Sequence, residues 1–138
     1  MSQENVEIVR ARLDAFNRGD WKSIFKDAAP NFELDWSRSL APNRGVYRGE
    51  EVQRAISEFL EGWESVRIEP HEFIAVDEHV VVPWTAHVVG RDGIEVQART
   101  TWTYTFRDGT VERITIYQER QEALEAVGPS EQDAHADS

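Results

Sequence analysis

The chain has 138 residues, a formal net charge of −11 and no cysteine. This length suits one domain with a single core. The acidic charge argues against nucleic acid or an anionic membrane as a partner, and the lack of Cys excludes disulfides, thiolate metal sites and Cys nucleophiles. Because no stretch resembles a signal peptide or a spanning helix, we expect a cytoplasmic protein.

Two amphipathic helices are predicted at the N-terminus. Apolar residues recur at helical spacing between residues 6 and 16, after Asn5, which is a suitable N-cap. Asp20 can cap a short second helix, and Pro30 ends it because the residue before a proline avoids the helical conformation. Together the two segments predict a helical hairpin.

A strand and a third helix follow in the sequence. Phe32, Leu34 and Trp36 alternate with polar residues, which is typical of a half-buried strand. Residues 39–45 are a predicted loop. Residues 50–62 carry an apolar stripe at helical spacing that ends beside Trp63, and they form the third predicted helix.

The second half of the chain predicts an antiparallel meander. Its strands are residues 67–76, 79–89, 94–107 and 110–118, separated by turns rich in Asp and Gly. Residues 119–127 add a short terminal helix to a domain of residues 1–127, and residues 128–138 are a predicted flexible tail. The predicted fold class is α+β, with three N-terminal helices packed on a curved mixed, mainly antiparallel sheet.

Side-chain alternation divides the meander into two faces. Even-numbered residues from Val80 to Val88 and from Ile94 to Phe106 are mainly apolar and are predicted to face the helices. Odd-numbered residues from Glu95 to Arg107 are polar or β-branched and are predicted to form an outer face that meets water or another chain. We therefore expect a homodimer through the outer sheet face.

A sheet wrapped around helices leaves one end open, and aromatic residues are numerous enough here to line a pocket at that end. The alternative is that these aromatic residues only fill the core. The predicted ligand is a small apolar molecule, which a few hydrogen bonds orient. The predicted ligand-binding residues are Trp36, Tyr47, Trp63, Trp84, Thr100, Trp102, Tyr104, Ile116 and Gln118.

Three carboxylates are candidates for proton transfer. Glu72 shares strand alternation with Ile68 and can point inward, Asp35 lies beside Trp36, and Glu119 ends the last predicted strand. Each of them has an ordinary alternative as a surface or rim acid. The His residues lack metal-binding spacing and no glycine-rich phosphate loop occurs, so neither a metal nor another cofactor is predicted.

Four short motifs occur in an order that resembles the SnoaL-like branch of the nuclear transport factor 2-like superfamily. They are AFNRGD at residues 15–20, GVYRG at 45–49, WTYTFRDG at 102–109 and EALEA at 122–126. The resemblance covers nearly the whole chain and implies a cone-shaped fold that holds a pocket. The superfamily includes polyketide cyclases, ketosteroid isomerases, dehydratases, limonene epoxide hydrolases and non-catalytic binding domains, so the fold does not select a reaction.

Apolar residues stand at positions where the resemblance would place catalytic groups. The Tyr and Asp of the ketosteroid isomerases fall on Leu13 and Trp36, and the water-activating Asp of the epoxide hydrolases falls on Ile116. Position 102, frequently His in the family, is Trp. These departures favour a small-molecule-binding protein with an apolar, aromatic-lined pocket.

Two other functions remain open from the sequence. One is an isomerase, cyclase or dehydratase that needs no cofactor, uses one of the three candidate carboxylates as the proton carrier and uses Tyr47 or Tyr104 as a hydrogen-bond donor. The other is a non-catalytic scaffold that binds a partner through its sheet. Whether the chain is an enzyme is left undecided by the sequence.

Overall fold

Three helices and a seven-stranded sheet make up the described part of this computed structural model, which comprises residues 2–22, 28–38 and 45–128. The helices are α1 (Ser2–Asn17), α2 (Glu50–Glu61) and α3 (Arg120–Val127). The strands are β1 (Ala28–Asp35), β2 (Val46–Arg48), β3 (Trp63–Pro70), β4 (Ile74–Val76), β5 (His79–Gly90), β6 (Glu95–Arg107) and β7 (Thr110–Tyr117).

The sheet is mixed and mainly antiparallel, as predicted. Its strand order is β2-β1-β7-β6-β5-β3, and β4 also pairs with β5. Only β1 and β7 run parallel among the described pairs. β7 ends its pairing with β6 where Tyr117 lies opposite Thr101. Residues 95–100 of β6 therefore pair only with β5 among the described strands, and the sheet has an open edge there.

The predicted arrangement of three N-terminal helices is wrong. α1 begins at Ser2, so Asn5 is a buried residue of the first turns rather than the N-cap. The predicted second helix falls partly on residues 23–27, which lie outside the described residues, and β1 already begins at Ala28. Pro30 fits in this strand because the register with β7 shifts between Ala28 and Glu33, and a proline is tolerated where regular pairing is interrupted.

The predicted helix over residues 50–62 is confirmed as α2, with Val52 and Ile56 buried. The predicted strand over residues 67–76 is instead two strands, because β3 ends at Pro70 and the chain pairs again only from Ile74. β3 also begins earlier than predicted, at Trp63. Both strands pair with β5.

Helices cover both faces of the sheet. α1, α2 and the even-numbered side chains of β5, β6 and β7 form the main core, including Val80, Val82, Tyr104 and Ile114. On the opposite face, α3 packs through Ala123 against Val81 and Tyr117. No described helix is long and apolar enough to cross a bilayer.

The predicted outer face, expected to meet water or another chain, is instead covered at its centre by α3 of the same chain. Thr101, Thr103 and Thr115 are buried on the face where α3 packs, while Glu95 and Gln97 are exposed. Alternation correctly separates the two faces, but it does not show that a terminal helix docks on the Thr-rich one. The apolar parity also ends near the β5–β6 turn, where Ile94 is 61% exposed.

Candidate ligand-binding site

A cavity of about 390 Å³ lies between the end of α1, α2 and the even-numbered face of the sheet. Most of its lining is apolar. The aromatic lining residues are Phe16, Trp36, Phe59, Trp84 and Trp102; the aliphatic ones are Ile56, Leu60, Val66, Ile68, Ala86, Ala98 and Ile116; the polar ones are Arg99, Thr100 and Gln118.

Two edge-to-face aromatic pairs border the cavity. The ring centroids of Trp36 and Phe59 are 5.4 Å apart, and those of Trp84 and Trp102 are 5.0 Å apart. Trp36 and Trp84 are themselves buried, so their rings are held by the core. Such pairs are rigid and present both faces and edges to a ligand. The site is therefore suited to flat or ring-containing apolar molecules.

Polar groups are few and lie toward the open edge of β6. The Thr100 hydroxyl donates to the Tyr117 carbonyl oxygen at 3.0 Å, which leaves its oxygen lone pairs as acceptors. The Gln118 side-chain amide donates to the Arg38 carbonyl oxygen at 3.4 Å, a long and weak hydrogen bond. Both side chains can contact a polar group on a ligand.

Two buried polar atoms in this part of the molecule lack a hydrogen-bond partner among the described residues, namely Trp84 Nε1 and the Tyr104 hydroxyl. Burial raises the pKa of the Tyr104 hydroxyl well above its ordinary value of 10.0, and the nearby Arg12 offsets this only in part. Tyr104 is therefore neutral near pH 7 and does not act as a base. Its ring lies in the main core and does not line the cavity.

The structure brings six of the nine predicted ligand-binding residues to the cavity: Trp36, Trp84, Thr100, Trp102, Ile116 and Gln118. The other three lie elsewhere. Tyr47 packs against the core from β2, Tyr104 is within the core, and Trp63 at the start of β3 contacts Phe59 from outside the lining. Strand alternation does not distinguish core from cavity positions, which accounts for Tyr104, whereas the strands that hold Tyr47 and Trp63 were not predicted at these residues.

The three candidate carboxylates do not line the cavity. Glu72 accepts two hydrogen bonds from Arg120, at 2.8 and 3.3 Å, and lies after the end of β3, where strand alternation no longer applies. Asp35 accepts hydrogen bonds from the backbone and hydroxyl of Ser37. Glu119 is exposed at the start of α3. Among the described residues, the cavity lining holds neither a carboxylate nor a histidine.

A second, polar recess of about 280 Å³ adjoins the cavity. His71, Glu72, Pro83, Thr101, Glu119 and Arg120 line the recess alone, and Trp84, Arg99, Thr100 and Gln118 line both spaces. The His71 ring lies 2.7 Å from the Thr85 hydroxyl. No group of three His, Asp or Glu side chains within the described ranges is placed to hold a metal ion.

Sequence reasoning missed several lining residues. Phe59 and Leu60 belong to the apolar stripe that predicts α2. They would have been predicted as lining residues if α2 had been placed across the open end of the sheet. Phe16 closes the apolar stripe of α1 in the same way. Arg99 was missed because its odd position places it on the outer face, and alternation does not show that β7 ends before reaching it.

A family model described as a SnoaL-like domain matches residues 9–114. The chain belongs to the SnoaL-like domain family. This match confirms the resemblance and includes three of the four sequence motifs; the fourth, at residues 122–126, lies beyond it. A comparison with curated proteins found no match.

Solved structures resemble this SnoaL-like domain over most of its length. An NTF2-like protein of unknown function from Burkholderia pseudomallei is 23% identical, with 91% of this chain and 98% of that chain covered and a TM-score of 0.75. TerC, co-crystallised with polyporic acid, is 21% identical, with 90% and 97% covered and a TM-score of 0.74. A SnoaL-like polyketide cyclase from Jannaschia is 17% identical, with 91% and 92% covered and a TM-score of 0.69. At these identities the likeness concerns the fold.

Proposed function

We propose that this SnoaL-like domain binds a small, largely apolar, ring-containing molecule in the cavity. The observation that carries the proposal is the lining, in which five aromatic side chains surround about 390 Å³. None of the described residues in this lining is a carboxylate. The co-crystallisation of TerC with polyporic acid supports the use of this fold for small molecules. Thr100 and Gln118 would orient the ligand by hydrogen bonds.

The expected affinity follows from the apolar character of the site. Burial of about 300 Å² of ligand apolar surface contributes about 7.5 kcal/mol at 25 cal/mol per Å². Lost translational and rotational freedom offsets part of this gain. At the efficiency typical of such ligands, about −0.3 kcal/mol per non-hydrogen atom, a neutral ligand of about 20 such atoms should bind with about −6 kcal/mol, a dissociation constant of about 10–100 µM.

Carboxylate catalysis, as in an isomerase, cyclase or dehydratase, has weaker support. Its support is that one of the similar structures is described as a polyketide cyclase. However, Glu72 is paired with Arg120 and the protonated Tyr104 is confined to the core. A proton carrier must come within hydrogen-bond reach of the substrate, and none of the three candidate acids lines the cavity.

The experiment that tests the binding proposal compares two Phe substitutions. Ala86 and Gln97 lie on the adjacent strands β5 and β6, on opposite sheet faces, and only Ala86 lines the cavity. We expect Ala86→Phe to weaken binding of the neutral fluorescent probe N-phenyl-1-naphthylamine at least about tenfold, because the new ring occupies ligand space. Gln97→Phe should leave binding unchanged.

Circular dichroism and thermal unfolding of both variants check that the fold is retained. Equal affinity of the native protein and a folded Ala86→Phe variant would contradict binding in this cavity. Failure of the native protein to bind the neutral probe, or any steroid-like, polyketide-like or terpenoid compound in a thermal-shift panel, would contradict the proposed function itself.

A further inference from the structure

Arg99 borders both the apolar cavity and the polar recess. Arg99 is on β6, opposite Thr85 of β5. It belongs to the stretch of β6 that continues past the last paired residue of β7. The cavity and the recess therefore meet at the open edge of β6. Thr100 and Gln118 also line both spaces, so a ligand that fills the cavity can extend past this edge into the recess.

The positive charge of Arg99 is available to a ligand. Within the described ranges it has no carboxylate at ion-pair distance, in contrast to Arg120, which is held by Glu72 in the same recess. The remaining acid of the recess, Glu119, is exposed and forms no ion pair with Arg99. A guanidinium without an ion-pair partner among the described residues thus stands at the border of a mainly apolar cavity.

We propose that the ligand is an amphipathic anion whose apolar body occupies the cavity and whose acidic group lies at Arg99. This proposal rests on the proposed function, because it requires that the cavity bind the apolar body. A carboxylate, sulfonate or ionised phenol is too costly to bury unpaired in the cavity, so it must remain at the edge. There a guanidinium can bind two acidic oxygens at once.

The charge of the whole chain makes Arg99 decisive for this selectivity. A formal net charge of −11 repels anions from most of the surface. An acidic ligand therefore gains affinity over its neutral counterpart only if a local cation outweighs that repulsion. Among the described residues that line the apolar cavity, Arg99 is the one that carries a positive charge.

A matched pair of probes tests the proposal. 1-Anilinonaphthalene-8-sulfonate and N-phenyl-1-naphthylamine share one aromatic body and differ by the sulfonate. We expect Arg99→Gln to weaken binding of the sulfonate about tenfold and to change binding of the neutral probe less than about twofold. Arg54→Gln removes the same charge from an exposed position on α2 outside the cavity and should change neither affinity by more than about twofold.

The outcomes separate the two proposals. Equal effects of Arg99→Gln on both probes, or equal effects of Arg99→Gln and Arg54→Gln on the sulfonate, would overturn the role of Arg99. The proposed function would still stand if the neutral probe binds and Ala86→Phe blocks it. If neither probe binds the native protein, both the proposed function and this inference are overturned.

Discussion

Tyr104 is a buried polar residue whose hydroxyl affects the stability of the protein and its dependence on pH. Its side chain is 1% exposed, it belongs to the main core, and its hydroxyl has no hydrogen-bond partner among the described residues. A buried hydroxyl without a partner gives up its hydration without compensation. The sequence placed Tyr104 on the correct face of β6, but it did not distinguish a core position from a cavity wall.

We expect Tyr104→Phe to leave stability unchanged or to raise it by up to about 1 kcal/mol near pH 7, because it removes an unpaired hydroxyl. The pKa of Tyr104 is raised by burial above its ordinary value of 10.0, so folding favours the protonated form. The native protein should therefore lose stability as the pH rises above 10 toward the raised pKa, and the variant should lose less.

Urea unfolding at several pH values between 7 and 11.5 measures this difference. The two proteins should diverge only at the alkaline end of the series. A loss above about 2 kcal/mol in Tyr104→Phe at pH 7 would show that the hydroxyl is hydrogen-bonded in solution, in disagreement with the structure.

At the scale of elements, Asn17 joins the end of α1 to the edge strand β3. Its side-chain amide donates to the Ile68 carbonyl oxygen at 2.7 Å, and its side-chain oxygen accepts from the Ile68 backbone N–H at 2.8 Å. The side chain thus substitutes for a neighbouring strand at this point. Because Ile68 also lines the cavity, the contact fixes one wall of the site.

We expect Asn17→Ala to lower the free energy of unfolding by about 1–3 kcal/mol, because two partly buried backbone groups lose their partner. Asn17→Asp should be similarly destabilising near pH 7, since a carboxylate cannot donate to the Ile68 carbonyl. Arg18→Ala, at the neighbouring exposed position, is the control and should stay within about 0.5 kcal/mol of the native protein. Urea unfolding of the three variants measures these values, and control-like stability of both Asn17 variants would contradict this role.

Long periodic elements were predictable and interrupted ones were not. The stripe of α2 and the parity of β5 to β7 depend on many residues, so single exceptions do not change the assignment. The predicted turns between the strands are also confirmed, since Asp77, Gly93 and Asp108 have positive φ. By contrast, β1 depends on pairing with β7, and docking of α3 depends on Val81 and Tyr117 meeting on one face. Such contacts join residues far apart in sequence, which local patterns do not show.

For the whole molecule, the predicted homodimer stays a prediction. α3 covers the Thr-rich centre of the outer face, so the exposed part that remains is smaller than the sequence suggested and includes Glu95 and Gln97. Light scattering coupled to size-exclusion chromatography at micromolar concentration measures the state. A monomer under these conditions would contradict the predicted dimer without affecting the cavity.

The apolar, aromatic character of the candidate site was predictable from the sequence, but the full set of lining residues was not. Strand alternation on β5 and β6, together with the resemblance to SnoaL-like domains, indicated Trp84 and Trp102 as pocket residues, and both line the cavity. Arg99 escaped prediction because its placement depends on where a neighbouring strand ends. The catalytic candidates Glu72 and Glu119 instead border the polar recess, where Glu72 pairs with Arg120.

The tryptophan side chains allow the most direct test of the central claim that the apolar cavity receives the ligand. In a ¹H–¹⁵N NMR titration with N-phenyl-1-naphthylamine, each of the five Trp residues reports through its own indole N–H signal. Trp36, Trp84 and Trp102 line the cavity, whereas Trp21 and Trp63 do not. We predict saturable shifts of the first three signals, with little change for Trp21; shifts that leave Trp36, Trp84 and Trp102 unmoved while the probe binds would contradict the account.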